Sequence, residues 1–152
     1  MSCESDIINA VMNAISADTG TGGLANTSSS AYVRGLHRKD DPQGDRAAGN
    51  WPFVEVECSN ESAMDPFGSG AYMAEVRIKI KTDMDTGFST RDAVCARLRT
   101  VLHRVVLTAG ATYGFSAFRI VRWIRPDPID SHLKEMQTVA DCRVIARKNT
   151  GI

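Results

Sequence analysis

The stretch over residues 71–106 begins with Tyr72-Met73-Ala74-Glu75-Val76-Arg77-Ile78-Lys79-Ile80-Lys81. Counting from Tyr72, every second residue of this run is apolar or aromatic. The residues between them are one methionine and four charged residues. A strict period of two predicts a strand with one buried face and one solvated face. We therefore assign the rest of the chain outward from this strand.

An amphipathic helix is predicted over residues 89–106, after a short turn. Its apolar positions form one stripe of a 3.6-residue period: Val94, Leu98, Val101, Leu102 and Val105. Ser89 is expected as the N-cap, and Asp92, three residues later, nearly completes a capping box. Gly110 is expected to mark the end of the helix. The predicted strand and helix form a scaffold, and no catalytic or ligand-binding motif is evident in them.

The length of 152 residues predicts a single domain over residues 1–152. A chain of this size buries about two thirds of its unfolded surface and needs no stabilising disulfide or metal. No apolar run approaches the roughly 20 residues of a membrane-spanning helix. The first six residues are acidic rather than basic, and no signal-peptide core follows them. These features predict a cytosolic protein without a membrane partner.

The four cysteines, Cys3, Cys58, Cys95 and Cys142, lie far apart in the sequence. No pair has the spacing of a zinc knuckle or a thioredoxin motif. Three of them, from Cys58 onward, fall inside predicted strands or helices. Free cysteine is commonly buried, so we expect these three to be reduced, buried thiols.

Charge is distributed unevenly, although the net charge of the whole chain is zero. Residues 1–76 contain 4 basic and 11 acidic residues, a net charge of −7, whereas residues 77–152 contain 14 basic and 7 acidic residues, a net charge of +7. One interpretation is that the two halves pair inside one fold. The other is a dipolar subunit whose acidic face meets the basic face of a neighbour in a head-to-tail ring.

The N-terminal part predicts a helix followed by a long loop. Residues 6–17 place five apolar side chains on one stripe: Ile7, Ile8, Val11, Met12 and Ile15. Residues 19–50 have loop composition and hold little that a core would bury, apart from a short strand predicted at 31–36. The glycine-rich beginning of this region does not end in the Gly-Lys-Ser/Thr sequence of a phosphate-binding loop. We expect this region to be mobile and the ordered core to span about residues 51–148.

Three further strands are predicted. Residues 51–58 alternate and are expected to pair antiparallel with residues 72–81, placing Glu55 and Glu57 opposite Arg77 and Lys79. Residues 115–125 and 135–148 are expected to form a second long hairpin. In residues 115–125, the alternation places Phe118, Ile120 and Ile124 on one face and Ala117, Val121 and Trp123 on the other. The element order predicts an α+β fold with a mostly antiparallel sheet and helices packed on one face.

Motifs for catalysis and metal binding are not found in the sequence. The histidines, His37, His103 and His132, form no His-x-x-x-His pair, with His103 expected in the second helix and the others in loops. Gly68-Ser69-Gly70 is too short for a Gly-x-Ser-x-Gly nucleophile elbow. We therefore expect no catalytic, cofactor-binding or metal-binding residues, and no cofactor. The alternative is a small enzyme whose catalytic triad is formed by residues that are distant in sequence and adjacent in the fold.

A nucleic-acid-binding module is a third class to weigh, because the C-terminal half is basic. Arg97 and Arg104 share one flank of the predicted helix, whereas Arg91 and Arg99 point elsewhere, so no groove-binding stripe forms. Basic strand residues alternate with apolar ones and indicate a solvated or interfacial face. Sequence-specific readout of DNA is therefore disfavoured, and loose electrostatic contact with a nucleic-acid backbone stays open.

The predicted elements follow one another in this order: the first helix, a loop, Pro52-Phe53-Val54-Glu55-Val56, the long strand at 72–81, the helix at 89–106 and two final strands. Over about residues 50–148 this order resembles the tail terminator (tail completion) proteins of long-tailed bacteriophages. The resemblance implies a small α+β subunit that forms a hexameric ring on the end of the tail tube. It also implies a virion location in the tail and neck after assembly in the host cytoplasm.

The resemblance implies partners but no catalytic residues. The expected partners are copies of the chain itself, the tail tube protein and a neck or head-completion protein, with genomic DNA passing non-specifically through the lumen. For the subunit or partner interface we select seven residues: Arg38, Lys39, Trp51, Arg77, Lys79, Arg119 and Arg122. A head-closure, connector or tube-like neck protein is the alternative within the same kind of particle.

Overall fold

The structure of the chain is a computed structural model. It describes residues 4–39, 51–63, 71–83, 88–108, 112–125 and 135–148, with the backbone alone for residues 59–63 and 135. The helices are α1 (Glu4–Ser16) and α2 (Phe88–Leu102). The strands are β1 (Gly35–Arg38), β2 (Phe53–Ala63), β3 (Ala71–Asp83), β4 (Val105–Val106), β5 (Tyr113–Phe115), β6 (Ala117–Ile124) and β7 (Glu135–Lys148).

All seven strands form one sheet in the order β1-β2-β3-β7-β6-β4, with β5 beside the end of β7. The centre is the antiparallel pair of β3 and β7, which are in register from Ala71 opposite Arg147 to Asp83 opposite Glu135. β2 and β6 flank this pair antiparallel, and only β1 runs parallel to its neighbour β2. The predicted α+β fold with a mostly antiparallel sheet is therefore confirmed.

Both helices pack on one face of the sheet. From α1, the buried side chains are Ile7, Ile8, Ala10, Val11 and Ile15, and from α2 the apolar ones are Val94, Leu98 and Leu102. They meet alternate residues of β2, β3 and β7, including Val56, Ile78 and Cys142, and those of β3 are the face predicted to be buried. Burial of an aliphatic side chain contributes about 1.5–3 kcal/mol, so this layer is the main source of stability.

Residues 17–34 correct the prediction that the loop region has little to bury. Leu24 is 1% exposed, and Ala31 and Val33 also join the core. The Asp18 carboxylate accepts a hydrogen bond from the Leu24 N–H at 2.8 Å, which fixes the turn between them. Gly23 is required in that turn, because a Cβ there would lie 2.2 Å from the Asp18 carbonyl oxygen. Residues 40–50 of the predicted loop lie outside the described part of the chain.

α2 ends earlier than its apolar spacing predicted. The helix stops at Leu102, His103 and Arg104 form a turn, and Val105–Val106 pairs with β6 as the short strand β4. Arg104 has a positive φ of 63°, a conformation that an L-residue adopts at a single position but not within a right-handed helix. Its N–H donates to the Phe118 carbonyl at 2.7 Å, so strand pairing replaces a further helical turn.

Other boundaries also differ from prediction. Ser89 lies inside α2 rather than at its N-cap, because the helix already begins at Phe88, and Gly110 lies outside the described residues. The short strand predicted at 31–36 is observed as β1, which begins four residues later than predicted and includes His37. Tyr113–Phe115, most of which was predicted as loop, is strand β5 on the end of β7.

The face assignment along β6 is wrong beyond Ile120. A bulge between Ile120 and Arg122 shifts the register, so Arg122 lies opposite Asp141 and Trp123 lies opposite the buried Ala140. One extra residue in a strand reverses the alternation that follows it. Trp123 therefore packs against the core, while Val121 is 51% exposed.

Candidate interaction surface

The sheet face opposite the helices carries alternating charged residues, and we call it the outer face. It is formed by the residues of β2, β3, β6 and β7 that alternate with the core positions, such as Glu55, Arg77 and Asp141. Within the described residues, neither helix packs on this face, and the side chain of Arg77 is 48% exposed there. Every interface residue predicted on β3 and β6 lies on it.

One row of the outer face is a ladder of alternating charge across five adjacent segments. Strand register places Glu57 opposite Arg77, Arg77 opposite Asp141, and Asp141 opposite Arg122. Lys39, directly after β1, extends the row, with its Nζ 2.7 Å from Glu57 Oε2. Opposite charges on neighbouring strands stabilise a sheet by about 0.2–1 kcal/mol per pair. The ladder therefore fixes strand register as well as surface charge.

Asp141 is the centre of the ladder because it holds two arginines at once. Arg77 Nε donates to Asp141 Oδ1 at 3.2 Å, and Arg122 Nε donates to Asp141 Oδ2 at 2.8 Å. The Asp141 side chain is 19% exposed, compared with 67% for Arg122. The carboxylate thus lies under the two guanidinium groups, and the Arg122 guanidinium extends into solvent at the side of the sheet where β6 lies.

The side of the outer face where β2 lies is more enclosed. Glu55 and Glu57 are 7% and 8% exposed, and Lys81 Nζ lies 3.6 Å from Glu55 Oε2. Lys81 also sits 5.4 Å from the centre of the Phe53 ring, which stacks on the His37 ring at a centroid distance of 5.0 Å. Paired charges and stacked rings therefore occupy this side, in agreement with the predicted facing of Glu55 and Glu57 with Lys79 and Arg77.

The side where β6 lies has a surplus of positive charge. Arg119 lies directly opposite Arg143, and Arg143 lies opposite Glu75 on its other side. A concavity of about 320 Å³ lies beside them, over the bulge in β6. Its lining residues are Glu75, Val76, Arg77, Val121, Arg122, Asp141, Cys142 and Arg143. The two sides of one face therefore differ in charge.

One of the seven predicted interface residues lies elsewhere. Arg38 donates from its guanidinium to Ser5 Oγ at 3.2 Å, so it joins β1 to α1 within the chain. Trp51 is half-buried two residues before the start of β2. The other five, Lys39, Arg77, Lys79, Arg119 and Arg122, share the outer face. Asp141, Arg143 and Glu75 were not among the predicted site residues, although their charge and their place in predicted alternating strands were signals that could have identified them.

The thiols and His103 show little capacity for nucleophilic chemistry. Burial raises the pKa of the Cys95 thiol to about 11 and raises that of Cys142 further. Cys142 is buried as predicted, whereas Cys58 and Cys95 are half-buried, and none of these three forms a disulfide. His103 Nδ1 accepts the Ile120 N–H at 3.1 Å, in the turn after α2 rather than in the helix. Burial and the neighbouring Arg99, Arg104 and Arg119 lower the pKa of His103.

Among the described residues, no group of three or more His, Cys, Asp or Glu side chains is placed to hold a metal ion. The helices of that part of the chain are also too short or too polar to cross a membrane. The chemistry that the outer face does offer is ionic binding by guanidinium groups.

Comparison with known proteins identifies a shared fold. No protein-family model matches the chain, and no curated protein matches it. A solved structure entitled "Virion of native gene transfer agent (GTA) particle" contains a similar chain, with a TM-score of 0.65 and 16% sequence identity. The match covers 94% of this chain and 96% of the other. At this identity the likeness establishes that the two chains share a fold over nearly their whole lengths.

Proposed function

We propose that the chain is a structural subunit of a phage-like virion. The observation that carries the proposal is the fold shared, over 94% of this chain, with a chain of a gene transfer agent virion particle. The outer face supports it, because a charged sheet face without a helical cover suits contact with neighbouring proteins. An assembly role also agrees with buried thiols of raised pKa, which are poor nucleophiles.

Within such a particle, our specific proposal is a tail terminator subunit that forms a ring, six subunits being the expected number. The ring would cap the tail tube and join it to the neck. The charge asymmetry of the outer face supports head-to-tail contacts, in which one side of a subunit meets a different side of the next. A stable contact of this kind buries about 1,200–2,000 Å² in total. Such a role requires no catalytic group, so we propose that the protein is not an enzyme.

The mass of the purified chain in solution is the first test. Analytical ultracentrifugation should find a species of several times 16.5 kDa, either alone or after addition of the tube protein. A chain that stays monomeric in the presence of tubes and neck proteins would contradict the ring. A hydrolytic or transfer activity associated with the monomer would favour the enzyme alternative.

Electron microscopy of particles that lack the chain separates the two structural roles. A terminator stops tube polymerisation, so its loss should give tubes of uncontrolled length. A head-closure or connector protein acts after the tail is complete, so its loss should give tails of normal length that are detached from heads. Restoration by the intact chain serves as the control for either result.

A further inference from the structure

Arg119 and Arg143 form a cross-strand pair of like charge on the outer face. Like charges directly opposite each other on neighbouring strands destabilise a sheet. Glu75 lies opposite Arg143 on β3 and compensates it. Among the described residues, no carboxylate is in register with Arg119, and the turn on its other side brings Arg104 beside β6 through the Arg104 N–H to Phe118 carbonyl bond. Within the described register, Arg119 is therefore a cation that faces another cation and no carboxylate.

The neighbouring groups add to this positive charge. Arg122 uses its Nε to bind Asp141 at 2.8 Å, and its side chain is 67% exposed. Most of the Arg122 side chain is therefore accessible to solvent while its Nε is bound. His103 lies in the turn beside Arg104, and burial together with the arginines around it lowers the pKa of His103. Four arginines thus lie on β6, β7 and the turn before β4, beside a concavity that Arg77 also lines, and the acids lining that concavity are Glu75 and Asp141.

We name Arg104, Arg119, Arg122 and Arg143 the arginine surface, and we propose that it binds the phosphate backbone of a nucleic acid without reading its sequence. Guanidinium groups match phosphate oxygens with two parallel hydrogen bonds and remain charged at all working pH values. The concavity of about 320 Å³ at the β6 bulge, lined by Arg122 and Arg143, gives a phosphate room to approach these groups. The proposal does not depend on ring formation.

A nucleic acid fits this surface better than an acidic protein does. A stable protein interface has an apolar centre, whereas Val121 is the one large apolar side chain among the described residues of the concavity that is strongly exposed. A polyanion gains its binding free energy from counterion release, which requires separated cations rather than apolar area. The cations of β6 and β7 lie on successive rungs of the sheet, about 6.7 Å apart along a strand.

Fluorescence anisotropy with a labelled DNA duplex tests the proposal on the full-length chain. Four phosphate contacts predict a slope of about −3.6 in the logarithm of the association constant against the logarithm of salt concentration. Affinity should then fall on the order of 100-fold between 50 and 200 mM salt. Arg119→Ala should weaken binding to duplexes of different sequence equally and reduce the slope by about 1.

Arg34→Ala is the matched control, because Arg34 is exposed and precedes β1 at the opposite side of the sheet. It should bind the duplex as the unaltered chain does. Arg119 has no described side-chain hydrogen bond or ion pair to lose, so circular dichroism should show both variants folded. If Arg119→Ala and Arg34→Ala have equal effects, or if no binding occurs at 50 mM salt, the proposal is wrong. Displacement of the duplex by polyglutamate at equal charge concentration would overturn it in favour of an acidic protein partner.

Discussion

Arg97 in α2 holds Asp18, 79 residues earlier in the chain, through two hydrogen bonds to the two oxygens of its carboxylate. The Asp18 side chain is 9% exposed and that of Arg97 is 30% exposed. Because Asp18 also accepts the Leu24 N–H, one carboxylate joins the turn after α1 to the second helix. The segment that the sequence assigned to a loop is thereby attached to the core.

Replacing this carboxylate should destabilise the protein. We expect Asp18→Ala to lower the free energy of unfolding by about 2 kcal/mol, because the part-buried Arg97 guanidinium and the Leu24 N–H both lose their acceptor. Urea denaturation followed by circular dichroism measures the change. Asp92→Ala is the control: its side chain is 59% exposed, and its partner Arg91 is its sequence neighbour, so we expect a loss of less than about 1 kcal/mol. Equal losses in the two variants would contradict a special role for Asp18.

The contribution of Asp18 should also depend on pH. The hydrogen bond from Arg97 holds the pKa of Asp18 below its ordinary value of 3.8. A lowered folded-state pKa means that the unfolded chain binds more protons, so stability falls as pH decreases through that range. The difference in unfolding free energy between the unaltered chain and Asp18→Ala should be constant above about pH 5 and shrink below pH 3.8. A difference that stays constant down to pH 2 would refute the assignment.

His103 should make a second, separate contribution to pH dependence. Its pKa is lowered from 6.5 by burial and by nearby arginines, and its Nδ1 must be unprotonated to accept the Ile120 N–H. The unfolded chain again binds more protons, so stability should fall as pH drops below 6.5. The other histidines are present in both the unaltered chain and His103→Asn, so their contribution to the change in stability between pH 7.5 and 5 cancels in the comparison. We expect the variant to lose less stability over this interval than the unaltered chain.

Reversing the charge of Arg119 should stabilise the fold. Arg119→Glu would place a carboxylate opposite Arg143, where like charges now face each other. We expect the free energy of unfolding to rise by about 0.2–1 kcal/mol at low salt, and the gain to shrink as salt screens the pair. Thermal and urea unfolding at 20 and 500 mM salt provide the comparison. Arg34→Glu, at the other side of the sheet, should change stability by less than about 0.5 kcal/mol.

The native thiols of α2 and β7 should react slowly. Burial raises the pKa of Cys95 to about 11 and raises that of Cys142 as well, so neither is an appreciable thiolate at pH 8. In a Cys3→Ser, Cys58→Ser chain, we expect Ellman's reagent to label both remaining thiols within minutes only after addition of denaturant. Fast labelling of the folded chain would show that these cysteines are accessible and reactive.

Local periodicity determined the elements of this protein. Strict alternation predicted β3 to within two residues at each end and predicted β7 at its observed limits, because side chains of a strand alternate wherever one face is buried. The stripe of Ile7, Val11 and Ile15 likewise predicted α1. The facing of Glu55 with Lys79 followed from one antiparallel hairpin. These features depend on neighbours in sequence, so the sequence alone carries them.

The end of α2 and the arrangement of charged residues on the outer face depended on tertiary structure alone. The bulge after Ile120 reversed the faces of β6, and α2 ended at Leu102 because the Arg104 N–H pairs with Phe118 rather than within a helix. The charge ladder and the Arg119–Arg143 pair require the register of β7 against both β3 and β6, which no single strand encodes. Contacts between residues far apart in sequence arise only when the whole sheet forms. Such long-range pairing brings Asp141 between two arginines and Asp18 to Arg97.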